Sequence, residues 1–260
     1  MAGTGERFKA AGYKISKPLI DVHGKPIIQH VVDLFPGEKD FLFICNKDHL
    51  KNTDLCAILS KLKPSAKIIG IAPHKLGPVH TLLKAKKEIK NNEQMIVTYC
   101  DFNMKWDYLD FKKKMKKTGV DSSAICYTGF LPHLLKPNVY AGVRVDEKGN
   151  ALEVREKFSF TENKMDSWHQ AGLFYFRTGE ILKKYCEKTF KKAEPVKGEY
   201  YVSLLYNFLI NDGLTSSIYP VKYFCQWGTP EDLQEYLWSH SYWENFFKSE
   251  ARNPKSETND

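Results

Sequence analysis

The first eight residues, MAGTGERF, combine residue types suited to holding phosphate. Gly3 and Gly5 are two apart, and glycine tolerates positive φ and the close approach of a ligand to the backbone. Backbone N–H groups from Ala2 through Thr4 to Gly5 could therefore surround an anion. Arg7 follows directly, and its planar guanidinium can grip phosphate oxygens in pairs. Taken alone, the same residues would also fit a tight turn followed by a surface charge.

Two further residues could act on charged phosphates. Lys17 opens a KPL motif ten residues after Arg7, and Asp101 ends the apolar run MIVTYCD. A carboxylate just beyond a buried strand lies at the edge of the sheet where ligands collect in α/β folds. Mg²⁺ takes few protein carboxylates and many phosphate and water oxygens, so one such acid can be sufficient. The alternative for Asp101 is a strand-terminal aspartate that makes a turn.

The elements that must position these residues alternate along the first half of the chain. Apolar runs typical of buried strands and helical periodicities are found, in chain order, at 26–35 (helix), 41–45 (strand), 55–62 (helix), 67–72 (strand), 79–89 (helix) and 94–101 (strand). This alternation predicts an α/β fold, a three-layer αβα sandwich with a mostly parallel central sheet. Two alternating strands around the turn at Lys148–Asn150 predict a small antiparallel insertion.

The second half of the chain predicts a strand at 168–177, a helix at 198–213, a strand at 218–224 and a closing helix with Thr229 as its N-cap. We find no internal repeat. The pattern therefore predicts a single domain over 1–248, whose first sheet strand is truncated as explained below, and a polar, disordered tail over 249–260.

Composition excludes several classes of protein. The 260 residues carry a net charge of +8, and six scattered cysteines form no CxxC pair, which favours buried free thiols over a zinc site. The lysine run at 111–119 is typical of a solvated helix face, so we expect no nucleic-acid partner. No signal peptide or membrane-spanning run is present, which predicts a cytoplasmic protein without membrane insertion. The positive charge would help to attract phosphorylated substrates.

Several short motifs, taken together in their order and spacing, resemble the sugar-phosphate nucleotidylyltransferases, a family with a GT-A-like Rossmann fold. They are MAGTGERF with KPL, GPVHTLL at 77–83, YCDF at 99–102, EK at 156–157, AGLFYF at 171–176, GEYYVS at 198–203 and WGTPEDL at 227–233. The resemblance covers nearly the whole chain.

The resemblance implies a reaction between two polyanions. In this family an acceptor phosphate oxygen attacks the α-phosphorus of a nucleoside triphosphate (NTP), and pyrophosphate leaves, so the catalyst mainly aligns phosphates and neutralises their charge. It implies that the loop from Ala2 to Gly5 holds the β- and γ-phosphates and that Arg7 grips the departing pyrophosphate. Lys17 would then lie at the α-phosphate and Asp101 would hold Mg²⁺.

The resemblance also implies where the nucleobase and the acceptor bind. Gly77, His80 and Thr81 match the segment beside the nucleobase, although His80 fits a helix-face residue equally well. The residues that match the acceptor pocket, for a sugar 1-phosphate, are Gly142, Glu156, Lys157, Gly172 and Glu199. Lys157 could instead belong to an ordinary charged strand end, and Lys25 is equally compatible with a substrate contact and with a surface role.

Two departures from the family pattern affect these expectations. Gln226 stands where many relatives have the aspartate of a D-x-G motif, which leaves the second metal ligand in doubt. Relatives also have a strand of four or five residues ahead of the glycine loop, in the middle of the sheet. Because Met1 stands where that strand would end, we expect either a truncated start or another segment in its place.

Four interpretations of function remain open. The first is an NTP:sugar-1-phosphate nucleotidylyltransferase that serves surface polysaccharide assembly. The second is a cytidylyltransferase for a non-sugar phosphate, and the third is a GT-A glycosyltransferase, for which DFN at 101–103 is a poor D-x-D motif. The fourth is a non-catalytic nucleotide-binding regulatory subunit. The nucleobase and any homo-oligomer are left undecided.

Overall fold

The computed structural model describes residues 1–136 and 140–252. Its helices are α1 (Glu6–Ala10), α2 (Ile27–Asp33), α3 (Lys47–Asn52), α4 (Leu55–Leu62), α5 (Gly77–Lys84), α6 (Tyr108–Thr118), α7 (Gly179–Lys192), α8 (Leu205–Asn211) and α9 (Pro230–Arg252). Its strands are β1 (Asp21–Val22), β2 (Lys25–Pro26), β3 (Leu42–Asn46), β4 (Lys67–Ile71), β5 (Met95–Thr98), β6 (Phe102–Lys105), β7 (Ser122–Tyr127), β8 (Gly142–Val145), β9 (Ala151–Arg155), β10 (Trp168–Phe176), β11 (Ser216–Pro220) and β12 (Tyr223–Gln226).

The long strand β10 organises the central sheet. It runs antiparallel to β7 on one side, and on the other side it pairs with β8 through its first residues and with β5 through its last four. The register shifts between Gln170 and Phe174. Gly172, between them, has a φ of +81°, a value that residues with a side chain rarely adopt. Beyond these pairs, β11 lies parallel to β7 and β9 antiparallel to β8. The sheet is therefore mixed rather than mostly parallel, because β10 opposes each of its neighbours.

Alternating side chains of β10 bury two separate cores, one on each face of the sheet. Leu173 and Tyr175 pack with apolar side chains of α2, α4 and α6, whereas Phe174 and Phe176 pack with those of α5, α7 and α8. Side chains of a strand alternate between faces, so this division places helices on both sides. The predicted three-layer αβα sandwich is confirmed.

Strands β3 and β4 form a separate parallel pair, and β6 pairs with β12. In the described parts of the chain, no strand lies between β3 and β5, so the expectation that another segment would replace the family's first strand is not met there.

The elements differ from the prediction at two places. The helix predicted at 198–213 begins only at Leu205, after a 3₁₀ turn at Val202–Leu204, so residues 198–201 are left free to reach the ligand cavity. The strand predicted at 218–224 breaks into β11 and β12, which pair with different strands.

The closing helix begins as predicted, since Thr229 Oγ1 accepts a hydrogen bond from the Asp232 N–H at 3.1 Å. It runs to Arg252, and residues 253–260 of the predicted tail lie outside the described residues.

The lysine run lies on α6, which buries Tyr108, Phe111 and Met115 toward the sheet, as an amphipathic helix should. The six cysteines are free, and Cys45, Cys126 and Cys186 are buried as predicted, while Cys56 is exposed. Of the helices in residues 1–136 and 140–252, none is both long and apolar enough to cross a membrane.

Candidate active site

A cavity of about 1000 Å³ opens at the carboxyl ends of β3 and β5. It gathers most of the residues that the sequence predicted to meet a nucleotide, and its lining includes Ala2, Gly3, Thr4, Gly5, Arg7, Lys17, Gly77, Thr81, Asp101 and Glu199. These residues come from loops and turns and from α1 and α5. The fold therefore assembles one site from segments far apart in the sequence.

The glycine loop lies at the mouth of this cavity. Met1 O accepts a hydrogen bond from Asn46 N at 3.2 Å, which ties the loop to the end of β3. Gly5 has a φ of +68° and precedes α1, a conformation that favours glycine. Arg7 is exposed and forms no ion pair within the described residues, so its guanidinium is available to an anionic ligand.

Lys17 and Asp101 meet at the base of the cavity. Lys17 Nζ lies 2.5 Å from Asp101 Oδ2 and also donates to Gly228 O at 3.0 Å. The ammonium stands 5.2 Å from the centre of the Phe8 ring, a cation–π contact. Only 17% of the Lys17 side chain and 23% of the Asp101 side chain are exposed, so the pair is held more firmly than a solvated surface pair.

Gln226 lies beside Asp101, at the place of the expected second carboxylate. A Cβ added to Gly228 would lie 2.4 Å from Gln226 Nε2 and 3.4 Å from Asp101 Oδ2, so glycine is needed to let both side chains approach this backbone. The nearby Asp232 is buried and pairs with Lys136 Nζ at 3.2 Å. Its carboxylate is therefore already engaged.

The donor set still fits Mg²⁺. No group of three or more His, Cys, Asp or Glu residues able to hold a metal occurs within the described ranges, and Asp101 is the carboxylate at the base of the cavity. Mg²⁺ is commonly bound through one or two carboxylates, with substrate phosphates and water as its other ligands. Asp101 would meet that requirement once a triphosphate supplies oxygens.

The predicted nucleobase segment is only partly at the cavity. Gly77 has a φ of +82°, and a Cβ there would lie 2.7 Å from Tyr200 N, so glycine allows α5 to dock on the 199–201 segment. Thr81, one turn further along α5, faces the cavity. His80 does not line it: its ring packs 5.3 Å from that of Phe190, because it projects from another face of the helix. The structure thus favours the helix-face interpretation of His80.

His74 lines the cavity and was missed by the sequence analysis. Its Nδ1 accepts from the Leu76 N–H at 3.2 Å, so in the neutral ring the proton must be on Nε2. That Nε2 lies 3.0 Å from Thr81 Oγ1 and donates to it. The Thr81 hydroxyl in turn donates its own proton to Gly77 O at 3.5 Å.

The predicted acceptor side consists of carboxylates, hydroxyls and lysines. Glu199 accepts a hydrogen bond from the Tyr201 hydroxyl, and both residues line the cavity. Lys157 does not itself line the cavity, but its Nζ lies 5.5 Å from the centre of the Tyr201 ring, which does. Desolvation, and next the neighbouring charge of Lys197, lower the pKa of Lys157. A negatively charged ligand beside Lys157 would therefore stabilise the charged form of its ammonium group.

Glu156 lies behind this surface and does not line the cavity. It accepts a hydrogen bond from the Ser203 hydroxyl. Desolvation by the surrounding protein raises the pKa of Glu156 to about 7, against the lowering effect of the Ser203 bond. The residue thus holds the neighbouring segment in place and can exist protonated near neutral pH.

Three other candidates lie away from the cavity lining. A Cβ on Gly142 would lie 2.4 Å from Phe158 O, and one on Gly172 would lie 2.9 Å from the Tyr99 ring, so both glycines permit close packing within the protein. Lys25 pairs with Asp33 at 2.9 Å, and both side chains are half exposed. Of the two interpretations of Lys25, the structure supports the surface role.

Lys197 and Tyr201 also line the cavity without having been predicted. The signal for them was in the sequence, since they flank Glu199 within the stretch KGEYYVS. The expectation of a helix from 198 concealed it, because on a helix neighbouring residues point to different faces.

Comparisons with known proteins agree with this geometry. The chain is 24% identical over 235 residues to the "Bifunctional protein GlmU" of Methanocaldococcus jannaschii, a match that covers 90% of this chain and 51% of that protein. The chain thus spans about half the length of this curated relative.

Solved structures with the same fold include the nucleoside-diphosphate-sugar pyrophosphorylase from Vibrio cholerae RC9, with a TM-score of 0.71, 19% identity and coverage of 91% of this chain and 97% of that one. The inositol-1-phosphate CTP transferase from T. maritima aligns with a TM-score of 0.65 at 12% identity, covering 89% of this chain and 88% of that one.

The family described as "Nucleotidyl transferase" matches residues 1–205, which include the glycine loop, Lys17, Asp101 and Glu199. The chain belongs to the nucleotidyl transferase family.

Proposed function

We propose that this protein transfers a nucleoside monophosphate from an NTP to a phosphorylated acceptor, with a sugar 1-phosphate as the first choice, and releases pyrophosphate. The observation that carries the proposal is the Lys17–Asp101 pair at 2.5 Å, in a cavity that also holds the glycine loop and the free Arg7. Such a site offers cations and backbone N–H groups to phosphates and one carboxylate to a metal.

The phosphate end would work through charge. N–H groups of Ala2 to Gly5 bind the β- and γ-phosphates, and Arg7 holds the pyrophosphate as it leaves. Lys17 stabilises the charge that builds on the α-phosphate in the transition state. Asp101 would hold Mg²⁺, which when bound neutralises phosphate charge and helps to align the reactants.

The acceptor end would work through orientation. Lys157 attracts the acceptor phosphate, and Glu199 accepts hydrogen bonds from acceptor hydroxyls while Tyr201 keeps its carboxylate in place. Holding two reactants in line can account for several orders of magnitude in rate, so this orientation is as much a part of the chemistry as charge.

A sugar 1-phosphate is favoured because Glu199, an acceptor of hydroxyl hydrogen bonds, lines the cavity. A cytidylyltransferase for a polyol or other non-sugar phosphate is the second candidate, supported by the fold shared with a CTP transferase. The part in polysaccharide assembly and the cytoplasmic location belong to the same proposal; the first rests on the resemblance and the second on the sequence pattern.

The test is pyrophosphate release. The purified protein is incubated with Mg²⁺, each of the four common NTPs and a panel of sugar 1-phosphates and polyol phosphates. The proposal expects release that requires both an NTP and an acceptor. Consumption of an NDP-sugar without an NTP would instead indicate a glycosyltransferase, and NTP binding without turnover in any pairing would indicate a regulatory subunit.

A further inference from the structure

The closing helix α9 is docked on the domain only through its first turns. Leu233 is fully buried, and the partly buried Tyr236 and Leu237 pack in the same small core, around Trp227. From Ser241 to Ser249, in contrast, every residue is exposed. A run of that length makes more than two turns of helix, so no face of this part is buried against the rest of the described chain.

The exposed part of α9 and the turn before it carry five large aromatic side chains. These are 41% to 69% exposed, and within the described residues their rings contact only one another: Trp238, Tyr242, Trp243, Phe246 and Phe247. At about 100° per residue, all five fall on one half of the helix surface, which we call the aromatic face. A contiguous apolar patch of this kind marks an interaction surface.

The aromatic face belongs to a nearly uncharged part of the helix. Between Tyr236 and Ser249 the only Asp, Glu, Lys or Arg residues are Glu244 and Lys248, which pair with each other at 2.8 Å. A helix that binds an anionic membrane or a nucleic acid carries several lysines or arginines. The centre of a protein–protein interface is instead depleted of charge and enriched in aromatic residues. The face therefore fits a protein partner.

The exposed area is close to what a symmetric pair of these chains would need. An aromatic side chain buries about 150–250 Å², so the exposed fractions of the five leave roughly 550 Å² on each copy. A stable interface of standard size buries about 800 Å² from each partner. The aromatic face thus supplies most of the area that each copy must contribute.

A groove beside the aromatic face has the residue spacing of a helix-packing hole. Its volume is about 470 Å³, and it is lined by Tyr236, Ser239, His240, Trp243 and Glu244. The first four stand at positions i, i+3, i+4 and i+7. Four residues so spaced form the hole that receives one side chain of a facing helix.

A side chain that fits this hole lies on the same helix. At about 100° per residue, Phe247 points within about 20° of the directions of Tyr236 and His240. The centre of the hole lies as far before Trp243 as Phe247 lies after it, to within one residue. A second α9 that runs antiparallel and crosses at Trp243 therefore brings Phe247 of each copy to the hole of the other. Such a contact is self-complementary, as a twofold interface requires.

We propose that α9 is a homodimerisation helix. The aromatic faces of two copies pack antiparallel about a twofold axis at Trp243, and Phe247 of each copy enters the groove of the other. This inference is independent of the proposed reaction, because none of these residues lines the active-site cavity.

Sedimentation velocity of the 260-residue chain, from about 1 to about 100 µM, measures the association. The account expects a species of twice 30.1 kDa. Phe247→Glu should raise the dissociation constant of the dimer by roughly 30-fold or more, because it puts a carboxylate into the groove. Leu109→Glu is the matched control, since Leu109 is 56% exposed on α6, and it should leave the dimer unchanged. Circular dichroism checks that each variant is folded.

A mixing experiment tests the antiparallel register. Ser239→Lys places an ammonium group in the groove and should also weaken the homodimer. Mixed with Phe247→Glu, it should form a heterodimer that is tighter than either homodimer, because the new carboxylate and ammonium meet in one groove while the other groove keeps its native contact. In a parallel pair, residues 239 and 247 would not meet.

Three results would overturn the proposal. The first is a chain that stays monomeric up to about 100 µM, whether or not it binds vesicles of phosphatidylcholine and phosphatidylglycerol. The second is a dimer that Phe247→Glu leaves intact. The third is a pair of weakened variants that gain nothing on mixing.

Discussion

The proposed phosphate end and the proposed acceptor end of the cavity are built in different ways. The phosphate end combines an exposed loop, the free Arg7 and one half-buried ion pair between residues 84 apart in the chain. At the acceptor end, hydroxyls hold two carboxylates, Glu199 by Tyr201 and Glu156 by Ser203. The first arrangement suits a triphosphate common to many enzymes, whereas the second can change its specificity through nearby residues. Substitutions at the first should therefore affect turnover with every acceptor, and substitutions at the second should discriminate between acceptors.

The largest expected effect is that of Lys17→Ala. Loss of a group that stabilises transition-state charge should lower kcat by on the order of 10²- to 10³-fold with every acceptor. Steady-state kinetics with two acceptors measure it, and circular dichroism shows whether the fold is kept. Lys25→Ala is the matched control, because Lys25 pairs with Asp33 at the surface and should leave kcat unchanged. Near-normal turnover by Lys17→Ala would remove Lys17 from the chemistry.

Asp101→Asn should raise the Mg²⁺ concentration needed for half-maximal activity by about tenfold or more, since the neutral amide is a weaker ligand for a hard cation. Mn²⁺ binding in the presence of NTP, followed by electron paramagnetic resonance, gives a readout besides activity. Gln226→Asp is the converse variant and should tighten metal binding. An unchanged metal requirement in Asp101→Asn would make Asp101 a turn residue.

Lys157→Ala should raise the KM of any phosphorylated acceptor by roughly 10- to 100-fold, because hydrogen bonds to charged groups are worth about 1.5–3 kcal/mol. The KM for the NTP should change much less. If the KM for the NTP rose equally, Lys157 would belong to the phosphate end and the contrast between the two ends would fail.

Glu199→Gln should weaken the binding of a polyhydroxylated acceptor by about 1–3 kcal/mol and leave the binding of a phosphate without hydroxyls nearly unaffected. Comparing kcat/KM for both acceptors in one variant cancels any general loss of folded protein. Tyr201→Phe, which removes the hydroxyl that orients Glu199, should have a smaller effect in the same direction. Unaltered kinetics with the best sugar phosphate would make the non-sugar branch the first choice.

The smallest effect concerns stability and pH. The pKa of Glu156 is raised to about 7 in the folded protein, above the value of about 4.5 expected once unfolded. Its protonated form stabilises the fold below pH 4.5, and this contribution is lost as the pH rises through about 7. Denaturant unfolding at pH 5 and pH 8 should show a loss of about 1 kcal/mol that Glu156→Gln abolishes. An identical pH dependence in both proteins would contradict the raised pKa.

The sequence predicted well that the residues of the proposed phosphate end lie together, because its signals are local. Gly3, Gly5, Arg7 and Lys17 lie within one short stretch, and Asp101 ends an apolar run that had to be a strand. Their meeting in one cavity followed from the αβα alternation. The helix boundaries and the mixed strand directions of the sheet were harder to predict from the sequence. The direction of β10 relative to its neighbours depends on which strands it pairs with.

The nucleobase segment and the proposed acceptor end were predicted less well, because the direction of each side chain decides whether it reaches the cavity. His80 and Thr81 are adjacent, but a rotation of about 100° around the helix separates the residue packed on Phe190 from the one that faces the cavity. Gly142 and Gly172 carry no directional signal at all, and their role emerged only from the atoms that an added Cβ would meet. His74 was missed since its part depends on two hydrogen bonds that no spacing reveals.

The most direct test of the central claim follows the α-phosphate itself. The 260-residue chain is incubated with Mg²⁺, an acceptor and each NTP labelled with ³²P at the α-phosphate. The account predicts that label appears in a new nucleotide-activated product with one NTP, together with unlabelled pyrophosphate, and that Lys17→Ala nearly abolishes the transfer. If a folded protein bound NTP but transferred no label from any NTP to any acceptor, the assignment of nucleotidyl transfer to this cavity would be contradicted.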